Sequence, residues 1–210
     1  MNTQEFFTTR DELLERLKNE TKVLSTPALE HAFETIDRAD FMTDEYRVES
    51  YEDYPVPIGH GQTISQPTTV AFMLELLDPQ KGDRVLDVGS GSGYTTALLA
   101  DMVGDTGTVV GVEIVPELVA QGQKGLAKYN FKHTHIEKAG KKIGDAKHAP
   151  YNRILVNASA EELSQELLAQ LDIGGIMVMP ILESIWKFKK IDDDDIQTEE
   201  FPGFVFVPLK

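Results

Sequence analysis

The sequence predicts an α/β protein with a doubly wound, mostly parallel sheet, preceded by helices and ending in an antiparallel hairpin at the sheet edge. Three observations lead to this prediction. Short apolar strands alternate with helices between residues 84 and 179, as in parallel sheets built from crossover units. The first of these strands enters a glycine-rich turn at residues 89–93. The last two strands have no helix between them, so they should pair antiparallel.

Two amphipathic helices are predicted near the N-terminus. Thr9 and Glu12 have the spacing of a capping box, and leucines on one helix face follow them. A second helix should begin at residues 25–26, with Pro27 in its first turn. A polar connector rich in tyrosine and proline then covers residues 40–61. It is too long for a simple turn, and long ordered connectors tend to be functional.

A third helix is predicted to begin near Ser65, with Pro67 in its first turn, and to end before Pro79. Strands and helices alternate from there. The predicted strands are residues 84–88, 108–113, 133–137, 153–157 and 175–179. The predicted helices between them are residues 94–103, 116–129 and 161–171. This order implies a parallel sheet covered on both faces.

The end of the chain departs from the alternation. Residues 184–191 and 204–208 are predicted to be two strands that pair as a hairpin at the sheet edge. The aspartates at 192–195 lie between them. We interpret this acidic run as a solvated turn that discourages edge-to-edge association, since the spacing of a calcium-binding EF-hand loop is absent.

Charge and composition exclude several classes of function. The chain has 20 Lys and Arg against 35 Asp and Glu, a formal net charge of −15, whereas nucleic-acid binding rests on clustered cations. The absence of cysteine excludes disulfides, thiolate zinc sites and cysteine nucleophiles. No apolar run reaches the roughly 18 residues of a membrane span, and the first ten residues lack a signal-peptide pattern. We therefore expect a cytoplasmic protein with no nucleic-acid or membrane partner.

The strongest local feature is VLDVGSGSGY at residues 85–94, where a strand enters a glycine-rich turn and then a helix. Glycines let the backbone approach a ligand closely. The dinucleotide fingerprint G-x-G-x-x-G does not fit, because Tyr94 and Thr96 stand where glycine would be needed. The pattern is D-x-G-x-G-x-G, starting at Asp87. The next strand ends in Glu113, where a carboxylate can accept hydrogen bonds from both hydroxyls of a ribose.

The glycine loop, the acidic residue at the next strand end and the αβ alternation together resemble the Rossmann-like S-adenosylmethionine-dependent methyltransferases. This resemblance implies that the sheet is of the Rossmann-like methyltransferase type and that the cofactor is S-adenosyl-L-methionine. It implies that Gly89, Gly91 and Gly93 flank the methionine part of the cofactor and that Glu113 holds the ribose. The alternative is a tight strand-to-helix turn with no ligand.

The region before the glycine loop narrows the family. Three stretches resemble the N-terminal region of protein-L-isoaspartate O-methyltransferases: RADF at 38–41, YEDYP at 51–55 and IGHGQTISQP at 58–67. The resemblance continues in order through GVE, APY, QL with GG, and FVPL near the C-terminus. Its most specific part is Q-T-I-S-x-P, which other methyltransferases do not carry in this form.

This family resemblance implies methylation of the free α-carboxylate of L-isoaspartyl residues in damaged proteins and peptides, which starts repair through a succinimide. An α-carboxyl group titrates at about 3.5, so the nucleophile is ionised at neutral pH and needs no general base. The site has to orient that carboxylate. We expect Ser65, just before the helix start at Pro67, to be the catalytic orienting group. A plain helix N-cap is the alternative role for its hydroxyl.

The resemblance also assigns the remaining site residues. The cofactor-binding residues are Thr63, Ile64, Asp87, Gly89, Ser90, Gly91, Ser92, Gly93, Glu113, Ile114, Ala139 and Gly140. The substrate-binding residues are His60, Gln62 and Val207. No metal is expected, since His133 and His135 have no apparent third ligand.

We expect one methyltransferase domain over residues 1–210, acting as a monomer on isoaspartyl proteins and peptides. Within it, residues 1–80 form an N-terminal helical and substrate-side segment. Residues 81–182 form the cofactor-binding α/β core, and residues 183–210 contribute the C-terminal antiparallel strands.

Several positions depart from the family pattern. The family has a Gly-Asp-Gly turn after the third strand, whose Asp reaches the adenine amino group, whereas this chain has Lys-Ala-Gly at 138–140. Either Asp145 substitutes, or backbone and apolar contacts alone hold the adenine. Asn152 and residues 157–160 also differ. These departures leave open a methyltransferase of the same fold acting on another carboxylate or peptide, and a cofactor-binding protein that has lost activity.

Overall fold

A computed structural model describes residues 9–210, and in it a seven-stranded sheet follows an N-terminal group of helices. The helices before the sheet are α1 (Arg10–Asn19), α2 (Pro27–Thr35) and α3 (Pro67–Leu77). Thr9 and Glu12 form the predicted capping box at the start of α1. Leu13 and Leu17 are the residues of α1 that are buried. The apolar stripe predicted for this helix therefore faces the core.

Residues 38–64, which include the connector predicted at 40–61, contain regular structure that the sequence analysis did not predict. Its elements are two 3-10 helices, Arg38–Phe41 and Asp44–Glu49, and a small antiparallel hairpin of β1 (Val56–Gly59) and β2 (Gln62–Ile64). This hairpin leads directly into α3. The connector is therefore an ordered part of the fold that ends beside the glycine loop.

The central sheet has the spatial order β5-β4-β3-β6-β7-β8-β9. Its strands are β3 (Arg84–Val88), β4 (Thr108–Glu113), β5 (Thr134–Lys138), β6 (Tyr151–Val156), β7 (Leu171–Ile181), β8 (Ser184–Lys190) and β9 (Ile196–Pro202). Strands β3 to β7 are parallel, whereas β8 and β9 pair antiparallel at one edge. The predicted fold class is confirmed. The chain proceeds from β3 to one side and crosses to β6 on the other, and such a switch point opens a crevice at the carboxyl ends of the strands.

Helices within the sheet region cover its two faces unequally. They are α4 (Tyr94–Val103), α5 (Pro116–Leu126) and α6 (Gln165–Leu168). Helices α1 to α5 bury their apolar residues in one core cluster, whereas α6 contributes Leu167 to the cluster on the other face. The helix predicted at 161–171 is therefore wrong in length. The helix predicted at 116–129 is too long as well, because α5 ends with Ala127 as its C-cap.

The position predicted for the second strand of the C-terminal hairpin is also wrong. It is β9, at residues 196–202, and not the predicted segment 204–208. Strand β9 is a mostly exposed edge strand, so its sequence is too polar to show strand periodicity. The apolar residues after it pack elsewhere, with Phe204 stacked on Phe72 of α3 at 5.4 Å between ring centroids. The apolar residues of this segment therefore pack on a helix and do not mark a strand.

Three further expectations concerned membrane spans, a signal peptide and the acidic run at residues 192–195. Within residues 9–210, no helix is both long and apolar enough to cross a membrane. The expected lack of a signal peptide concerned the first ten residues, of which 1–8 lie outside the described residues. The acidic run forms the turn between β8 and β9, where Asp192 Oδ1 accepts hydrogen bonds from the backbone N–H groups of Asp194 and Asp195 at 2.8 Å each.

Candidate active site

Two adjoining cavities lie at the carboxyl ends of β3, β4 and β6. The larger cavity has a volume of about 420 Å³ and the smaller about 50 Å³. Their shared lining residues are Gln62, Gly89, Glu113 and Ala158. The two cavities therefore form one continuous site at the switch point of the sheet, where ligands bind in open α/β folds.

The glycine loop between β3 and α4 needs glycine for its backbone conformation. Gly89, Gly91 and Gly93 have φ values of 72°, 51° and 88°. At Gly93 an added Cβ would lie 2.8 Å from Cδ1 of Ile136 and 3.0 Å from Cα of Gly122. Left-handed backbone and close packing on α5 together exclude a side chain there. The loop is thereby held in one shape against the edge of the sheet.

Asp87 lies behind this loop and lines neither cavity. Its carboxylate is fully buried and accepts hydrogen bonds from the hydroxyls of Thr95 at 2.8 Å and Thr96 at 2.6 Å. Asn157 Nδ2 donates to its other oxygen at 2.6 Å. Burial raises the pKa of Asp87 above its ordinary value, although the three hydrogen bonds lower it in part. The carboxylate joins the end of β3, the start of α4 and the end of β6, so its contribution to the site is structural support.

Glu113 lies where both cavities meet, at the end of β4. It is 5% exposed, and its carboxylate oxygens accept backbone hydrogen bonds from Gly91 at 3.0 Å and Val115 at 2.9 Å. Each oxygen keeps a free lone pair, so the carboxylate can accept further hydrogen bonds from a ligand. This arrangement suits the two hydroxyls of a ribose. The same residue also holds the glycine loop in place.

Ser65 lines the smaller cavity together with Thr63 and Ile64. Its hydroxyl makes no hydrogen bond to any of residues 9–210. The N-cap of α3 is Gln66, so the alternative role of Ser65 as N-cap is wrong. The structure thus leaves the Ser65 hydroxyl available at the wall of the cavity.

A carboxylate from another segment caps α3 instead. Asp53 accepts hydrogen bonds from the backbone N–H of Thr68 at 2.9 Å and from its hydroxyl at 2.6 Å. The Asp53 backbone carbonyl also binds the side-chain amide of Gln66 at 3.0 Å. A helix start needs such acceptors for its unpaired N–H groups. Because Asp53 supplies them, Ser65 is not needed for this purpose.

The structure brings most of the predicted site residues to the cavity walls. Those that line at least one cavity are Gln62, Thr63, Ile64, Ser65, Gly89, Ser90, Gly91, Ser92, Glu113, Ile114, Ala139, Gly140 and Val207. Asp87, Gly93 and His60 line neither cavity. His60 is exposed in the β1–β2 turn, with φ of 55°. A contact between His60 and a peptide substrate stays a prediction.

Asp145 does not reach the larger cavity. Its carboxylate is 6% exposed and binds the Tyr151 hydroxyl at 2.6 Å and Nδ1 of His148 at 2.5 Å. Burial raises the pKa of Asp145, but these two partners outweigh it and the pKa lies below its ordinary value. Residues 139–144 line this part of the cavity with small and apolar residues and with Lys141 and Lys142. The structure therefore favours backbone and apolar contacts over Asp145 for holding an adenine.

Two segments of the site were missed by the sequence analysis. Ala158, Ala160 and Glu161 follow β6, and the rule that ligands bind at carboxyl strand ends could have identified them. Residues 208–210 also line the larger cavity. Ser159 brings them there, through backbone hydrogen bonds of 2.8 Å to Val207 and to Leu209. No local pattern in the sequence predicts that residues 207–209 pair with Ser159.

The histidines and acidic residues of residues 9–210 do not form a metal site. Among residues 9–210, no group of three or more His, Asp or Glu residues is placed to hold a metal ion. His133 and His135 lie at and before β5, away from the two cavities, and His135 stands 3.9 Å from Glu137.

Comparison with known proteins agrees with this geometry. The family model for protein-L-isoaspartate(D-aspartate) O-methyltransferase matches residues 8–210. A protein-L-isoaspartate O-methyltransferase from Methanopyrus kandleri is 40% identical over 210 residues, covering 95% of this chain and 90% of the relative. One from Aeropyrum pernix is 42% identical over 202 residues, covering 94% of this chain and 77% of the relative.

A solved structure extends the similarity to three dimensions. It is described as a protein-L-isoaspartate O-methyltransferase from Plasmodium falciparum in complex with S-adenosyl-L-homocysteine. Its TM-score is 0.86 at 26% identity, and the match covers 97% of this chain and 99% of that one. The chain belongs to the protein-L-isoaspartate(D-aspartate) O-methyltransferase family.

Proposed function

We propose that this protein transfers a methyl group from S-adenosyl-L-methionine to the free α-carboxylate of L-isoaspartyl residues in damaged proteins and peptides. The observation that carries the proposal is the hydroxyl of Ser65. This hydroxyl makes no hydrogen bond within residues 9–210, and Ser65 lines a small cavity together with Glu113 and residues 89–92 of the glycine loop. An orienting group and the cofactor-holding residues therefore share one cavity. Family membership supports the same activity.

The residues of the larger cavity fit the nucleoside part of the cofactor. A volume of about 420 Å³ falls within the roughly 300–1,000 Å³ of small-molecule sites. Glu113 would accept hydrogen bonds from the ribose hydroxyls, and Ile114, Ala139 and Gly140 would contact the adenine. S-Adenosyl-L-methionine, when bound, supplies an electrophilic methyl group on a positively charged sulfur.

The smaller cavity fits a carboxylate nucleophile that needs no base. Among residues 9–210, no histidine or lysine lines it, and the one lining carboxylate is Glu113, which already accepts two backbone hydrogen bonds. An α-carboxylate is ionised at neutral pH, so no proton has to be removed. Ser65 donates a hydrogen bond to one oxygen of the substrate and leaves the other free to attack, with Thr63 and Ile64 beside it.

The transfer breaks the bond between sulfur and the methyl carbon, so its products are the methyl ester of the isoaspartyl α-carboxyl group and S-adenosyl-L-homocysteine. Methoxide leaves far more readily than an oxide dianion, so the next backbone nitrogen attacks the ester carbonyl and expels methanol. The resulting succinimide opens with water, in part to normal aspartate. The protein's own task ends with the ester, and repair follows spontaneously.

Methyl transfer from labelled S-adenosyl-L-methionine to an isoaspartyl peptide, compared with its aspartyl twin of identical sequence, tests the proposal. We expect label in the isoaspartyl peptide alone. Label in both peptides, or in a different carboxylate, indicates a methyltransferase with another acceptor. Measurable cofactor binding with label in neither peptide indicates a binding protein that has lost activity, and it contradicts the proposal.

We also propose that residues 1–210 work as one monomeric unit in the cytoplasm, without nucleic-acid partners. One core cluster joins residues of α1, α3, α5 and β8, which supports a single domain. The net charge of −15 opposes association with phosphates. Light scattering after size-exclusion chromatography tests the monomer, and a dimer mass would contradict it.

A further inference from the structure

Arg38 is a buried cation beside the smaller cavity to which the sequence analysis assigned no role. It belongs to the first 3-10 helix and is 2% exposed. Its guanidinium donates hydrogen bonds to the backbone carbonyls of Ser50 at 2.8 Å, Tyr54 at 3.3 Å and Ser65 at 3.2 Å. These carbonyls lie at three separate points of the chain between residues 50 and 65. One side chain therefore fixes the path of the backbone that carries Ser65.

Arg38 forms no ion pair with any of residues 9–210. All the hydrogen bonds that it makes within residues 9–210 go to neutral carbonyl groups. Its Nε has no hydrogen-bond partner among those residues. Burial lowers its pKa to about 10, with Tyr94, Asp53 and Tyr54 acting in the opposite direction. The guanidinium is therefore still fully charged at neutral pH.

An unpaired buried cation is costly, so its position is informative. The interior screens charge far less than water does, and the guanidinium acts on groups several ångströms away. The residue of the smaller cavity that Arg38 binds directly is Ser65, whose backbone carbonyl accepts a hydrogen bond from the guanidinium. The expected substrate group at that hydroxyl is a carboxylate. Its approach to a chain of net charge −15 requires a local positive potential.

We propose that Arg38 is a positioning residue for the substrate carboxylate, acting through Ser65. Its hydrogen bonds fix the backbone of Ser65, and its buried charge makes this end of the site favourable to an anion. This inference rests on the proposed function, because it requires an anionic acceptor in the smaller cavity.

Arg38→Met and Arg38→Lys separate the two contributions. We expect Arg38→Met to raise KM for an isoaspartyl peptide about tenfold and to lower kcat, because both the charge and the hydrogen bonds are lost. Arg38→Lys keeps the charge but cannot reach three carbonyls at once, so KM should return near the wild-type value while kcat stays low. The dissociation constant of S-adenosyl-L-homocysteine, measured by calorimetry, should be unchanged in both variants.

Arg153→Met is the matched control. Arg153 is a guanidinium with 12% side-chain exposure at the start of β6, on the opposite end of the sheet, where it binds the carbonyl of Asp78 at 3.0 Å. Its loss should lower the melting temperature without changing KM or kcat. A change in melting temperature alone for Arg38→Met, as in this control, would overturn the proposal.

A double variant keeps the test decisive if Arg38→Met fails to fold. The effect of Arg38→Lys on kcat should disappear when Ser65 is already alanine, because the two residues act on the same step. A full effect in the Ser65→Ala background overturns the route through Ser65. Wild-type protein that methylates no isoaspartyl peptide contradicts the proposed function and this inference together. Wild-type activity with normal kinetics in both Arg38 variants contradicts only the inference.

Discussion

The cofactor side and the substrate side of the site are built in different ways. On the cofactor side, the glycine loop at 89–93 and Glu113 are placed by backbone conformation at two adjacent strand ends. On the substrate side, Ser65 is placed by Arg38 and Asp53, whose side chains bind backbone groups in distant parts of the chain. The comparison shows that a local motif makes the cofactor side visible in the sequence, whereas only tertiary contacts reveal how the substrate side is held. The two sides should therefore fail in different ways when altered.

The largest effect is expected on the cofactor side, from Gly93→Ala. The new Cβ would meet Ile136 and Gly122 within 3.0 Å at a φ of 88°. We expect a loss of about 2–5 kcal/mol in the free energy of unfolding, because overpacking adds to backbone strain. Gly82 is the control, since it has the same φ of 88° but its nearest neighbour would lie at 3.6 Å. Gly82→Ala should cost only about 1–2 kcal/mol, and equal losses in urea unfolding would contradict the packing argument.

On the substrate side, Ser65→Ala should leave the fold intact and reduce turnover. Its hydroxyl supports no helix cap, so removing it should change the melting temperature little. A hydrogen bond to a charged group contributes about 1.5–3 kcal/mol, which corresponds to a loss of about 10- to 160-fold in kcat. Affinity for S-adenosyl-L-homocysteine should be preserved. An equal loss of turnover and cofactor affinity would instead mark Ser65 as a cofactor contact.

The loop that lines the larger cavity has its own support in Asp145. Its pKa lies below the ordinary value, because the Tyr151 hydroxyl and His148 outweigh burial. A lowered pKa means that the carboxylate stabilises the fold above its unfolded pKa, and that this contribution is lost as pH falls through the folded pKa. We expect Asp145→Asn to cost about 1–2 kcal/mol at pH 7 and progressively less below pH 4.

Urea unfolding at pH 7 and at pH 3 measures this difference. Asp194→Asn is the control, because Asp194 is exposed in the acidic turn. A gap between Asp145→Asn and wild type that is as large at pH 3 as at pH 7 would show that the carboxylate charge is not responsible.

A smaller effect on stability is expected from Asp53→Ala, which removes the cap of α3. Losing a cap costs about 1 kcal/mol, and the freed N–H of Thr68 can then recruit a nearby hydroxyl such as that of Ser65. Turnover should therefore fall more than stability does. Ser164→Ala removes the cap of α6, where Ser164 accepts from Leu167 at 3.3 Å, and should lower stability alone. Normal kcat in Asp53→Ala would contradict the link between the cap and Ser65.

The smallest effect is expected far from both sides, at the acidic turn. Asp193 is 82% exposed and pairs with Lys190 at 3.2 Å. Exposed pairs contribute little, so Asp193→Ser should change the free energy of unfolding by less than about 0.5 kcal/mol. Calcium should not raise the melting temperature of either protein. A calcium-dependent increase in wild type alone would show that the turn is an ion site.

Much of the fold and the cofactor side could be predicted because their determinants are local. The bounds predicted for β3, α4 and β4 agree with the structure, since apolar strands, a glycine turn and a helix follow one another without interruption. Predictions were weaker where exposure hides periodicity, as in β9, and where a helix is only one turn long, as in α6. Neither element buries enough apolar surface to leave a pattern in its sequence.

The sequence by itself determined the fold class, the glycine loop, the acidic residue at the end of β4 and the position of Ser65 before α3. Only the tertiary structure decided what the Ser65 hydroxyl is free to do. Asp53 caps Thr68 from 15 residues away, and Arg38 holds the Ser65 carbonyl from 27 residues away. Hydrogen bonds between such distant groups depend on how the chain packs, because any polar side chain can bind a backbone group that folding brings close.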